Sequence, residues 1–275
     1  MKKILLFVVM MNFILRISSQ SLVIENNKSP WSDTVSQCRD TTIYIIPHTV
    51  EGLYPGCLVH MHKYLHTQLL VTRAGKIVRL SDEDRLIDHA GYTLWDGNIA
   101  IWTIAVGIEF EGWYNEPLTL AQYYIGGLLI DSLQRKYHID DEHVLPHSMV
   151  ACTEDYCFRA RKKGCGQQFA DPFVRLELGI RPLPIDWHDP DEREGRIKWP
   201  KYRAAQMLKY NLYEKNKEYS EMLLRDSIEE IPSSLYIIID TINEKPVQFV
   251  AKKSKESLSF RRQKGFMSRD KSSFR

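Results

Sequence analysis

Apolar and polar positions divide the chain into a first part of short strands with one long helix, and a second part punctuated by proline. Residues 42–46, Thr-Ile-Tyr-Ile-Ile, form a β-branched apolar run that predicts a buried strand. Residues 69–72, Leu-Leu-Val-Thr, and 77–80, Ile-Val-Arg-Leu, flank Arg73-Ala74-Gly75-Lys76, which predicts a hairpin with glycine in its turn. Residues 104–110 are apolar on both faces and predict a second buried strand. The spacing over 119–137 predicts a helix. Thr119 and Gln122 stand at capping-box spacing, and Ala121, Ile125, Leu128, Leu129 and Leu133 share a face. Gly126 and Gly127 lower its helix propensity, which points to close packing against the sheet. Val144-Leu145-Pro146-His147 reads as a short strand ending at a loop.

Beyond Pro182 the pattern changes. Pro182, Pro184, Pro190 and Pro200 punctuate a polar stretch, and a charged helix is expected over 201–230. Two strand candidates follow at 235–239 and 247–250, and from Lys252 the chain is basic. These elements predict an α/β fold with a central mixed β-sheet flanked by helices over 21–181. A C-terminal extension of linker, charged helix and basic tail is expected over 182–275.

The N-terminus adds an expectation about location. Lys2 and Lys3 precede an apolar stretch over 4–15 broken only by Asn12, and small polar residues follow at 18–21. This is the pattern of a signal peptide over 1–20, too short to span a bilayer comfortably, and it predicts an exported, periplasmic or secreted protein. Net charge is only +2, so the chain as a whole is not built to bind nucleic acid. The basic tail alone is a candidate contact for anionic wall polymer or membrane. Export would permit disulfides. Five cysteines leave one over, and the pairs Cys38–Cys57 and Cys152–Cys157 would leave Cys165.

Two segments carry the strongest signal, Asp88-His89-Ala90-Gly91-Tyr92-Thr93-Leu94-Trp95-Asp96-Gly97 and Val106-Gly107-Ile108-Glu109-Phe110-Glu111-Gly112. With the hairpin before them and the Thr119–Gln122 helix start after them, they resemble the type 2 N-acetylmuramoyl-L-alanine amidases, a family that includes peptidoglycan recognition proteins. The resemblance runs over residues 43–178. It implies zinc-dependent hydrolysis of the amide between N-acetylmuramic acid and L-alanine, with peptidoglycan or muropeptides as partners and Zn2+ as cofactor. Such a site needs three protein ligands and an open position. It also needs a carboxylate to take the proton of water and a group to steady the oxyanion.

By that resemblance Glu109 is the general base, at the end of an apolar strand where burial would raise its pKa. His147 is a zinc ligand, although the family's flanking Gly and Asp are missing from Pro146-His147-Ser148-Met149. For the third ligand, Lys163-Gly164-Cys165 matches a K-x-C form, with Lys163 stabilising the oxyanion; Asp171 in Ala170-Asp171-Pro172 is the alternative. The first ligand is expected at His48. The family's strand ends in H-x-T or H-x-S, and strict alignment puts Pro47 at the ligand position. Strand alternation would then turn His48 to the opposite face unless the strand is bulged or ends one residue early. His89 and Trp95 are expected to line the substrate groove. Gln68 stands where the family often has His, a change expected to touch substrate contacts. His60, His62 and His66 match no family role and read as a surface cluster. The Pro47 departure keeps a second reading open, a metal-free peptidoglycan-binding module that has lost catalysis.

Overall fold

The computed structural model describes residues 22–153, 164–184, 186–201 and 203–226. Strands β1 (Ile24–Asn26), β2 (Tyr44–Thr49), β3 (Leu69–Val71), β4 (Ile77–Arg79) and β7 (Ala105–Phe110) form one sheet in the order β1-β4-β3-β7-β2. Only the β3–β4 hairpin is antiparallel; β1–β4, β3–β7 and β2–β7 are parallel. The sheet is therefore mixed, as expected. Strands β5 (Leu94–Trp95) and β6 (Asn98–Ile99) form a separate small hairpin. The helices are α1 (Gly56–Tyr64), α2 (Leu120–Tyr137), α3 (His147–Val150), α4 (Pro172–Glu177), α5 (Pro190–Arg193), α6 (Arg203–Tyr210) and α7 (Asn216–Asp226). A π-turn, Asn211–Lys215, joins the last two.

The two long parallel strands are buried along their whole length because helices cover both faces. Side-chain alternation sorts them. Ile45, Val106, Ile108 and Phe110 pack with Leu129, Ile130 and Leu133 of α2. Tyr44, Ile46 and Ala105 face the other way, onto Leu145, Met149, Leu208 and Leu212. The segment beyond Pro182 is thus part of this second layer, through α6 and the π-turn.

Helix α2 starts where its capping box sets it. Thr119 accepts from the Gln122 amide, and the Gln122 side chain accepts from the Thr119 amide in return. Its buried stripe is Gln122, Gly126, Leu129, Ile130 and Leu133, rotated from the face expected. The glycines explain the rotation. A Cβ on Gly126 would lie 2.5 Å from the Phe110 ring, and one on Gly127 would lie 2.8 Å from the Leu178 carbonyl oxygen. The contact line runs along the bare backbone rather than along the larger apolar side chains.

Three expectations are adjusted. Val144 makes a single parallel bridge to Ile45, not a strand, and His147 opens α3. The expected charged helix is divided by the π-turn. Cys38 and Cys57 do not form the expected disulfide: Cys38 is exposed, while Cys57 is buried in α1, where burial pushes its thiol up to about 11. Cys157, Lys163, the N-terminal export segment, the strand candidates at 235–239 and 247–250, and the basic tail lie outside the described residues.

Candidate metal centre

The site lies at the C-terminal ends of β2 and β7, where open α/β sheets commonly bind ligands. In the parallel register His48 of β2 stands beside Glu109 of β7. Alternation fixes the direction of both: His48 continues the face of Tyr44 and Ile46, and Glu109 that of Ala105. The expectation that His48 would turn away unless β2 is bulged is therefore corrected. The strand runs in unbroken register to Thr49, and Pro47 is the residue on the opposite face. His48 is 1% exposed and Glu109 9%, with His48 Nδ1 3.9 Å from Glu109 Oε1.

Cys165 reaches the same place from a loop that crosses β2. Gly166 has φ +73°, and a Cβ there would lie 2.5 Å from the Pro47 carbonyl oxygen, so only glycine lets the loop approach this closely. Thr49 fastens the crossing from two sides. Its Oγ1 accepts from the Gly166 amide at 3.0 Å, and its own amide donates to Cys165 Sγ at 3.4 Å. Sγ then sits 3.7 Å from His48 Nδ1.

His147 arrives as the first residue of α3, with its ring centroid 4.3 Å from that of His48. Its Nε2 lies 3.0 Å from the Ala90 carbonyl oxygen. A carbonyl only accepts, so Nε2 carries the proton and Nδ1 the lone pair.

His48, His147 and Cys165 each offer one ligand atom, and these atoms lie within 4.8 Å of one another. Two imidazoles and a thiolate form a zinc-type donor set with room for a fourth ligand. Tetrahedral zinc bonded to nitrogen at about 2.0 Å and sulfur at about 2.3 Å would place those two atoms about 3.5 Å apart, close to the 3.7 Å found between Nδ1 and Sγ. A backbone carbonyl behind a ligand histidine is also the usual outer support of such a site. The residues fit the group.

A cavity of about 750 Å³ opens over the cluster, with Glu109 in its wall and Glu51, His60 and His66 among its lining residues. His60 and His66, read from sequence as bland surface, thus border the cavity. Their approach depends on where α1 docks, which no local pattern reveals.

The other expected site residues are placed differently. His89 borders the cavity, but it is 6% exposed and its ring is held between His48 and the Ala105 carbonyl, so it is not a stacking surface. Burial pushes its pKa down to about 4, which leaves it neutral. Trp95 is 8% exposed in the second apolar layer, stacked on Trp187, and does not line the cavity. Asp171 caps α4 through the Phe173 amide, pairs with Lys215 and borders a different cavity. Gln68 is fully buried, accepting from the Gly107 amide and donating to the Arg85 carbonyl, so its role is internal. Thr49 and Gly166 were missed by sequence reasoning. The His48-Thr49 pair and the Gly following Cys165 were the available signals.

Residues 37–163 match the family model described as N-acetylmuramoyl-L-alanine amidase. The match ends two residues before Cys165. A 90-residue stretch is 29% identical to the 1,6-anhydro-N-acetylmuramyl-L-alanine amidase AmpD of Enterobacter cloacae, covering 33% of this chain and 48% of that protein. The match thus spans about half the length of that curated relative. Among solved structures, the amidase LysC from Clostridium intestinale aligns at 22% identity and TM-score 0.45, over 58% of this chain and 100% of that one. Drosophila PGRP-LB aligns at 16% identity and TM-score 0.37, over 53% and 88%.

Proposed function

We propose that this chain, whose residues 37–163 belong to the N-acetylmuramoyl-L-alanine amidase family, hydrolyses the amide bond between N-acetylmuramic acid and L-alanine in peptidoglycan. The observation that carries the reading is the convergence of His48, His147 and Cys165 beside Glu109 in one cavity. His48, His147 and Cys165 would hold zinc, which when bound supplies a Lewis acid to activate water and polarise the scissile carbonyl.

The chain's own residues supply the rest. Glu109 accepts a proton at a carboxylate oxygen and returns it to the departing amine, the two halves of general acid–base catalysis. Its place at the end of β7 is rigid, because β7 is paired on both sides, to β2 and to β3. His147 is oriented by the Ala90 carbonyl and Cys165 by the Thr49 amide, so the donor set is positioned by backbone groups. By the family resemblance, Lys163, two residues before Cys165, would supply the positive charge that stabilises the developing oxyanion. Glu51, His60 and His66 at the cavity wall offer hydrogen bonds to a bound stem peptide. The N-terminal charged, apolar and polar sequence supports action outside the cytoplasm, where peptidoglycan lies.

Elemental analysis of the purified protein, beside a His48→Ala variant, tests the reading. One zinc per chain, absent from the variant, is expected, together with release of stem peptides from muropeptides by the parent protein alone. A parent protein that takes up no zinc on reconstitution and releases no peptide would leave a binding module as the better account.

A further inference from the structure

We propose that His89 is a positioning residue that determines which nitrogen of His48 faces the metal, and that Gly107 is the residue that admits it. The inference rests on the zinc reading above. His89 Nε2 lies 3.3 Å from the Ala105 carbonyl oxygen. The carbonyl has no proton to give, so His89 carries one on Nε2. The ring is 6% exposed and its ring nitrogens face a carbonyl and an imidazole, with no carboxylate bonded to it among the described residues to compensate a second proton. A neutral imidazole with its proton on Nε2 presents a lone pair on Nδ1.

That lone pair faces His48 Nε2 at 3.1 Å. His48 must then donate from Nε2, and its own lone pair is left on Nδ1. Nδ1 is the atom 3.7 Å from Cys165 Sγ and 3.9 Å from Glu109 Oε1. A chain of two hydrogen bonds thus runs from the β7 backbone through His89 to His48, and it ends with a lone pair aimed at the donor cluster. Without His89, the His48 proton is free to occupy Nδ1, the tautomer that cannot bind a metal from that atom.

Gly107 makes the arrangement possible. A Cβ on it would lie 2.8 Å from His89 Cγ and 2.9 Å from its Nδ1. The imidazole therefore lies against bare β7 backbone, and any side chain at 107 would push it away from His48. Two segments distant in sequence, around His89 and around Gly107, meet to set the proton of a residue on a third.

The test compares His89→Phe, which keeps a ring but has no acceptor, with His89→Gln, whose amide can both accept and donate. Zinc dissociation constants come from chelator competition. The His48 tautomer in metal-free protein comes from long-range 1H–15N spectra, assigned by the signal lost in His48→Ala. We expect the His48 proton on Nε2 in the parent protein and zinc affinity reduced about 10- to 100-fold in His89→Phe. Most of that affinity should return in His89→Gln, and Gly107→Ala should behave like His89→Phe. A His48 proton on Nδ1 in the parent protein overturns the proposal. So does parental affinity in His89→Phe, or equal losses in the Phe and Gln variants, as a merely structural ring would give. If His89→Phe does not fold, the parent spectrum alone decides. A parent protein that binds no zinc counts against the function proposed above, while the spectrum still judges the relay.

Discussion

The chain buries charged and polar side chains in two places, and the difference between them separates structure from site. Asp189 and Asp191 are fully buried around α5. Asp189 caps that helix, accepting from the Asp191 and Glu192 amides. Asp191 accepts from the Asp96 and Gly97 amides at 3.1 and 2.9 Å and from Arg196 Nε at 2.7 Å. Those amides belong to a hairpin turn in which Asp96 and Gly97 both have positive φ, so Asp191 holds the β5–β6 turn in shape. Every one of these bonds points inward to protein. At the ends of β2 and β7, by contrast, His48, Glu109, His147 and Cys165 converge on a cavity. Buried polar groups used up by backbone stabilise a fold; buried polar groups gathered around an opening are arranged for something that enters it.

This contrast can be broken by substitution. Glu109→Gln should lower amide hydrolysis by about 10²- to 10⁴-fold with the unfolding midpoint in denaturant unchanged; an active variant would remove Glu109 from the chemistry. Asp191→Ala should act in the opposite sense, costing about 3 kcal/mol because two amides lose a buried acceptor, while molecules that remain folded still take up zinc. Denaturant titration beside metal analysis separates the two effects. If Asp191→Ala instead removes zinc without destabilising the protein, Asp191 belongs to the site and not to the scaffold.

Smaller effects sharpen the picture away from the site. Gly127→Ala would ordinarily gain helix propensity, yet its Cβ would meet the Leu178 carbonyl at 2.8 Å. A net loss of about 1–3 kcal/mol is expected, read from thermal unfolding; a gain would show that α2 can shift off the sheet. Thr119→Ala removes the cap of α2 and should cost about 1 kcal/mol, with hydrolysis per folded molecule retained.

Much of the scaffold was legible because local chemistry writes it. The β3–β4 hairpin, the buried strands and the capped start of α2 each follow from a pattern of a few neighbouring residues. The site was legible only in part. The motif around Glu109 announced itself, and Lys163-Gly164-Cys165 matched the K-x-C form. His48 was expected at the site only if β2 were bulged or ended early; unbroken register with β7 brings it there directly, because a strand's facing is set by its neighbours and not by its own sequence. Trp95 looked like a groove residue because aromatic rings suit a groove, but Trp187, from a distant segment, covers it; His89 does border the cavity, held there between Ala105 and His48.

The sequence by itself determined the β3–β4 hairpin, the two long buried strands, the capped start of α2 and the residue types available for chemistry, since capping, turn geometry and apolar periodicity act over short stretches of chain. The tertiary structure decided which of those residues meet. Parallel pairing of β2 with β7 put His48 beside Glu109, and the bare backbone at Gly166 and Gly107 let Cys165 and His89 close in on them. These are contacts across tens of residues, fixed by strand register and by the room glycine leaves. No local pattern encodes either one.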